Sequence, residues 1–361
     1  MAEYLGVHFL VAGVSFAVTV LAGRLLIPFL RKLKFGQTIK EIGPSWHMSK
    51  QGTPTMGGFM FMIGITAAVL IAEAFSRFAS FYYIGTHYGH LYILLLAWLF
   101  GAIGFVDDYF KVVRKQNEGL TALQKLALQA AVGVAFLALL RYTGYLTPSL
   151  YIPFFDAVWE LSWIVYLVIG IFVVVGMVNA VNLTDGIDGL CAGITLPIAV
   201  FFAAAAAHLL YPMYKALKAF DLEPSMFEFL IEVKPLIAPV EVALLSAALA
   251  GGMLGFLIFN FHPAKVFMGD TGSLFLGGLI CGIAFACNSP VLMVIVGAVF
   301  VLEMFSVILQ VGYFKMTNGK RLFKMSPLHH HFEKSGWSEV KIFTVFVSVT
   351  VTLCAVSYFF M

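Results

Sequence analysis

Residues 91–111 read LYILLLAWLFGAIGFVDDYFK. Sixteen uncharged, mostly apolar residues run straight into two adjacent acids, Asp107 and Asp108, followed by Lys111. Apolar runs of this kind suit a bilayer, whose hydrocarbon layer is ~30 Å thick and takes about 20 helical residues to cross. The acids close the run at the negative end of the helix dipole, where a carboxylate costs some tenths of a kcal/mol unless a cation is near. Stability therefore does not explain them. The structural reading is an i,i+4 surface pair between Asp107 and Lys111, worth at most about 0.5 kcal/mol; taken alone, the stretch weighs evenly between the two.

The rest of the chain repeats the pattern. Of 361 residues 61% are hydrophobic and only 11% charged, against roughly 25% charged in soluble domains, and the mean hydropathy is +0.95. An ordinary soluble enzyme, a disordered chain, collagen and a coiled coil are all excluded. Apolar runs bounded by charged, Gly or Pro clusters predict ten spans, near 4–29, 56–75, 91–106, 122–140, 162–181, 190–210, 239–259, 273–287, 290–314 and 342–360. The expectation is an all-α polytopic membrane protein forming a single domain over 1–361, with the N-terminal run retained as the first span because it lacks a basic leader region. Cys191, Cys281, Cys287 and Cys354 lie in apolar stretches and read as small core residues. A net charge of +3 is too small to suggest nucleic acid.

Loop charge sets the expected orientation, since Lys and Arg beside spans are retained on the cytoplasmic side. One set of loops carries sixteen of them, among them Arg31, Lys34, Lys50, Lys111, Lys125, Lys265 and Lys324; the opposite set carries five. Both termini are then periplasmic, with five loops in the cytoplasm. On the outer side, 145–155 (YLTPSLYIPFF) suggests a short hairpin and 211–235 an amphipathic surface helix.

The inner loops hold the chemistry. Asn179, Asn182, Asp185 and Asp188 in NAVNLTDGIDGL recur every third residue and would share one face of a helix, with Asp-Gly turns as the plainer reading. The segment FNFHPAKVFMGDTGS places Asn260, His262, Lys265 and Asp270 ahead of a span that Thr271 or Ser273 would cap. Helix N-terminal amides favour phosphate, and Asp270 beside them would repel an anion unless a divalent metal bridged the two, which points to magnesium and a phosphoryl group. His329, His330 and His331 are consecutive, so they cannot all face one metal from a regular element, and imidazole donors beside a diphosphate fit better than zinc. Lys50 precedes the Gly-rich turn TPTMGG, a weak phosphate-loop signal. Glu303 and Gln310 sit inside the ninth span, where an acid at the centre costs roughly 2.5 kcal/mol or more; Glu303 faces a groove or bend, or is a paired acid inside the bundle. Five aspartates, two lysines and a His run on one membrane face indicate a single site for metal-assisted phosphoryl transfer.

TPTMGG at 53–58, DDYFK at 107–111, NxxNLTDGIDGL at 179–190, NFHPAKVFMGDTGS at 260–273 and PLHHHFE at 327–333 together resemble the polyprenyl-phosphate N-acetylhexosamine-1-phosphate transferases, in the family's order and over essentially the whole chain. The resemblance, nearest to the muramoyl-pentapeptide branch, implies transfer of phospho-MurNAc-pentapeptide from UDP-MurNAc-pentapeptide to undecaprenyl phosphate, giving lipid I and UMP in peptidoglycan synthesis, with Mg2+. It also implies ten transmembrane helices around a cleft on the cytoplasmic face, a homodimer, and a place in the bacterial cytoplasmic (inner) membrane. Carried over by position, Asp107 and Asp108 match the family's paired acids and Asp270 its magnesium-binding acid. Lys50, Lys111, Asn182, Asp185, Asp188, Asn260, Phe267, Gln310, His329 and His330 match substrate-site positions. The competing readings are a sibling transferase that moves GlcNAc-1-phosphate and, from another class, a secondary transporter, for which the acids would be expected at the midplane.

Overall fold

A computed structural model describes residues 2–33, 50, 52–79, 88–113, 119–155, 157–219 and 237–360. The chain forms α1 (Ala2–Lys32), α2 (Gly58–Ala79), α3 (Gly89–Val113), α4 (Ala122–Thr143), β1 (Ser149–Ile152), β2 (Ala157–Glu160), α5 (Trp163–Thr184) and α6 (Leu190–Ala219). It continues with α7 (Ile237–Asn260), α8 (Gly269–Ala286), α9 (Pro290–Val296), α10 (Ala298–Met316), α11 (Leu328–Glu333) and α12 (Glu339–Phe359). Among the described residues ten helices are long and apolar enough to cross a membrane, and each coincides with one of the expected spans. Among the described residues the fold is all-α and polytopic apart from one hairpin.

The helix α8 is the axis of the bundle, with 89% of its span buried against 28% for α1, α4 and α12. Its neighbours are α3 and α5, while α7 packs on α1, α2 and α6. Inside a bilayer helices associate through close packing and not through water exclusion, so small residues gather where backbones meet. Gly58 opens α2 directly against Gly272 of α8, and a Cβ at either would overlap the other backbone. That contact uses the TPTMGG glycines for packing. Aromatic side chains fill the wider gaps, with Phe61 edge-on to Phe256 at 5.0 Å and Trp98 to Phe275 at 6.0 Å.

Several expectations are corrected. The ninth span breaks into α9 and α10 at Gly297, whose φ of −90° and ψ of 15° leave the helical region; its N–H still donates to Met293 O at 2.8 Å. The eighth begins at Gly269, so Asp270 lies within the helix instead of before it. The third runs on to Val113 and carries Asp107, Asp108 and Lys111 inside its last two turns. The hairpin forms, but its second strand lies beyond 155, pairing Ser149 with Glu160 and Ile152 with Ala157. The expected surface helix is in part the end of α6, which runs to Ala219; 220–236, with Lys234, and the loop residues Lys34, Lys40, Arg114 and Lys115 lie outside the described residues.

Candidate active site

At one end of the bundle α3, α4, α5 and α8 bring three acids, two lysines and an amide together. Asp108 accepts hydrogen bonds from the N–H groups of Asp270 (3.2 Å) and Thr271 (2.9 Å) and from the Thr271 hydroxyl (2.7 Å). The α8 N-terminus is thus capped from another helix. This corrects the expectation that Thr271 or Ser273 caps it: Thr271 donates to Asp108, and Ser273 donates to Gly269 O at 3.1 Å.

Asp107 is also buried, with one oxygen accepting from Leu120 N–H at 2.7 Å and the other 2.6 Å from Lys111. Lys111 turns its ammonium to Asp270 as well, at 2.9 Å, and Lys125 meets the same Asp270 oxygen at 2.8 Å. The second Asp270 oxygen accepts from Asn182 Nδ2 at 2.8 Å. Lys125 was counted above only as a loop charge. A capping box between Thr121 and Gln124 starts α4 and places Lys125 in its first turn. A cation there opposes the helix dipole, the same signal that singled out Asp107 and Asp108.

Asp107, Asp108 and Asp270 each offer an oxygen within 4.8 Å of the others. Three carboxylates against two ammonium groups leave a negative surplus, and a set of hard oxygen donors without thiolate or imidazole fits magnesium-class cations better than zinc. The residues therefore suit a divalent metal. Asp185, at the C-cap of α5, adds no charge to that surplus while it keeps its proton: burial pushes its carboxyl well above the ordinary carboxylate range, and the charges of Asp270, Asp108 and Asp188 push it further.

The polar run 179–188 does not stay on one helix face, because α5 ends at Thr184. Asn179 pairs with Gln129 at 2.6 Å, away from the acids, and only Asn182 reaches Asp270. Asp188 belongs to a second cluster, 2.7 Å from Lys50, 3.1 Å from His262 Nδ1 and accepting from Ala264 N–H at 2.9 Å. Glu339, in the first turn of α12, closes that cluster at 2.7 Å from Lys50 and accepts the Asp188 N–H at 3.1 Å. Asp188, His262 and Glu339 form a second group with metal-compatible spacing, in which Lys50 already stands. No sequence signal marked Glu339, since an acid in a first turn is what the dipole favours.

The remaining residues frame these clusters. Asn260 is buried and donates to Val266 O at 2.9 Å, shaping the loop that presents Phe267. Phe267 is half-buried and its backbone is bonded to Pro54 and Gly57. Gln310 holds the loop between α10 and α11 through the N–H groups of Leu322 (3.0 Å) and Phe323 (2.8 Å). The three histidines diverge as expected. His329 is buried, His330 lies 2.6 Å from Glu333, and His331 accepts the Lys324 N–H at 3.1 Å.

The description "Glycosyl transferase family 4" matches residues 90–288, a segment that holds the three acids, Lys111, Lys125 and the 179–190 run but neither Lys50 nor the histidines. Proteins named phospho-N-acetylmuramoyl-pentapeptide-transferase are similar over nearly the whole chain. That of Acetivibrio thermocellus is 42% identical over 354 residues, covering 98% of this chain and 94% of the relative. That of Halalkalibacterium halodurans is 46% identical over 335 residues, 93% and 91% of the two chains, and that of Bacillus subtilis 44% over 334 residues, 92% and 91%. Similarity at that level and coverage includes the segments on both sides of the 90–288 match, and the chain belongs to glycosyl transferase family 4 and, within it, to the phospho-N-acetylmuramoyl-pentapeptide transferase family.

Proposed function

We propose that the chain moves phospho-MurNAc-pentapeptide from UDP-MurNAc-pentapeptide to undecaprenyl phosphate, releasing UMP and forming lipid I. The observation that carries the reading is the convergence of Lys111 and Lys125 on Asp270, within reach of Asp107 and Asp108. Phosphoryl transfer between two anions needs their repulsion screened and their atoms aligned, and little else.

In the direct route an acceptor phosphate oxygen attacks the phosphorus that bears the sugar, the bond to the uridine-side phosphate breaks, and UMP leaves with that electron pair. A phosphomonoester has its second pKa near ~6, so the acceptor is mostly dianionic and only a residual proton needs removal. Asp107 is the base in this reading. Asp108 is engaged by three donors from α8, which makes it a weak base and a support for Asp270. Lys111 and Lys125 bind the diphosphate, while Lys50, Asn182, Asp185, Asp188, Asn260, Phe267, Gln310, His329 and His330 form or support the nucleotide-sugar site. Asp270, with Asp107 and Asp108 close by, would hold a magnesium ion, which when bound would add to the neutralisation of the diphosphate.

The same reading places this end of the bundle in the cytoplasm, both termini in the periplasm, the whole chain as one domain in the bacterial inner membrane, and the protein as a homodimer. The test offers the purified protein magnesium, undecaprenyl phosphate and either labelled UDP-MurNAc-pentapeptide or UDP-GlcNAc. A lipid-extractable product and equimolar UMP from the first donor alone support the reading. Preference for UDP-GlcNAc would move the chain to the sibling activity.

A further inference from the structure

The helix α10 is the least enclosed of the spans, with 22% of its span buried, and its buried positions are Val299, Phe300, Glu303, Ser306 and Gln310. Three of those five are polar, so the stripe that this helix turns inward is not an ordinary apolar packing face. Gln310 holds the backbone of Leu322 and Phe323. Glu303, fully buried, accepts the backbone N–H of His329 at 3.1 Å, and its Oε2 lies 3.2 Å from His329 Nδ1. An acid inside a span is costly unless it is paired with a specific partner. Here both of the partner's contacts come from the first histidine of the run.

Neutral imidazole carries one hydrogen on its two nitrogens, and a carboxylate can face only the nitrogen that bears it, since two lone pairs repel. The Glu303 carboxylate, 3.2 Å from Nδ1, favours by its charge the tautomer that carries the hydrogen there. Neither ring nitrogen of His329 makes a hydrogen bond, Nδ1 being held near Glu303 Oε2 by proximity and charge at 3.2 Å, while the buried Nε2 abuts the turn between α5 and α6: a Cβ on Gly186 would overlap it. Gly186 lies between Asp185 and Asp188. His330 packs against His329 with ring centroids 4.2 Å apart, so the seating of one imidazole sets the place of the next.

We infer that Glu303 is a positioning residue, which fixes the tautomer of His329 and seats the histidine loop against the Asp185–Asp188 turn, where the nucleotide substrate is bound. This rests on the transferase reading above for its substrate, but not for the tautomer. It explains why a membrane span of this chain keeps a buried acid, and it separates the structural task of Glu303 from the contacts that His330 makes beside it.

The test is a double-variant cycle with the full-length protein in detergent, together with 15N NMR of histidine-labelled protein, the His329 signals being those lost in His329→Ala. Glu303→Gln keeps the shape and removes the charge. It should lower kcat/KM with UDP-MurNAc-pentapeptide by roughly tenfold to a hundredfold, the range of a lost hydrogen bond to a charged group, expressed mainly in the KM for the nucleotide. In the His329→Ala background the same change should alter kcat/KM by less than about threefold, because residues acting through one another are not additive. Glu303→Asp should recover part of the loss. Wild-type activity in Glu303→Gln, or losses that multiply with those of His329→Ala, would overturn the inference. The NMR arm decides without a Glu303 variant: hydrogen on Nδ1 of wild-type His329 supports it, and a bare Nδ1 with hydrogen on Nε2 overturns it. Absence of any transfer by the wild type would instead remove the transferase reading and leave the tautomer assignment intact.

Discussion

Asp108 and Thr271 are 163 positions apart in the chain, and the carboxylate of the first accepts hydrogen bonds from both the backbone N–H (2.9 Å) and the hydroxyl (2.7 Å) of the second. The two neighbouring acids of α3 consequently have different occupations. Asp108 fastens the start of α8 and with it the backbone of Asp270. Asp107, bonded to Lys111 and Leu120, faces the lysines.

Substitution should separate those occupations. Asp108→Asn removes a charged acceptor from three donors, so it should lower stability by about 1–3 kcal/mol as well as activity, and Thr271→Val should reproduce much of the stability loss. Asp107→Asn should remain nearly as stable as the wild type while losing the acidic limb of its pH–rate profile. Thermal melts beside rate profiles check this; matching profiles for Asp107→Asn and wild type would remove Asp107 as the base.

Lys125 should matter as much as Lys111. Its ammonium is 2.8 Å from Asp270 Oδ2, against 2.9 Å for Lys111. Lys125→Met should reduce kcat/KM by on the order of a hundredfold or more, as expected when a charge-stabilising group is lost from a phosphoryl-transfer site. Steady-state rates of the folded variant measure it, and a loss below about threefold would return Lys125 to the status of a loop charge.

The raised pKa of Asp185 has a sign that can be followed. Below its folded pKa the native chain holds a proton that the unfolded chain releases above ~3.9. Stability in metal-free buffer should therefore fall as pH rises from the ordinary carboxylate range to the folded pKa of Asp185. Asp185→Asn has no such proton to lose and should flatten that part of the curve. Melting temperatures of both proteins across pH 4–8 provide the comparison.

A contrasting variant lies at the other end of the bundle. His90, fully buried, stands 3.2 Å from Glu73 and 3.1 Å from Glu241, tying α2, α3 and α7 together. His90→Leu removes the partner that two buried carboxylates share, Glu241 keeping the Tyr145 hydroxyl at 3.3 Å, and should cost about 3–5 kcal/mol. The activity of each molecule that remains folded should be unchanged, since Asp107 and Asp108 are at the opposite end of α3. Activity normalised to folded protein distinguishes the two effects.

Much of this arrangement was legible in the chain itself, and the exceptions have physical causes. The ten spans and the loops that carry the acids follow from hydropathy, and Asp107 and Asp108 were conspicuous because they sit against a helix dipole. Lys125 carries the same mark at the start of α4, but was hidden among other basic loop residues. The break at Gly297 leaves no trace in an apolar run, because a single glycine inside a span is compatible with an unbroken helix. Asn179 and Asn182 share a spacing, but Gln129 of α4 stands opposite the first and Asp270 of α8 opposite the second. Pairings such as Glu303 with His329 or Glu339 with Lys50 depend on which helices are neighbours. No local pattern encodes that.

The most direct test of the account is release of UMP from UDP-MurNAc-pentapeptide by the wild type and by Asp270→Asn, with undecaprenyl phosphate and a titration of magnesium. The account predicts that the wild type forms UMP and lipid product in equal amounts. It also predicts that the folded variant is slower by on the order of a thousandfold, about 4 kcal/mol of barrier, at every magnesium concentration. Retention of more than a tenth of wild-type turnover by a well-folded Asp270→Asn protein would contradict it.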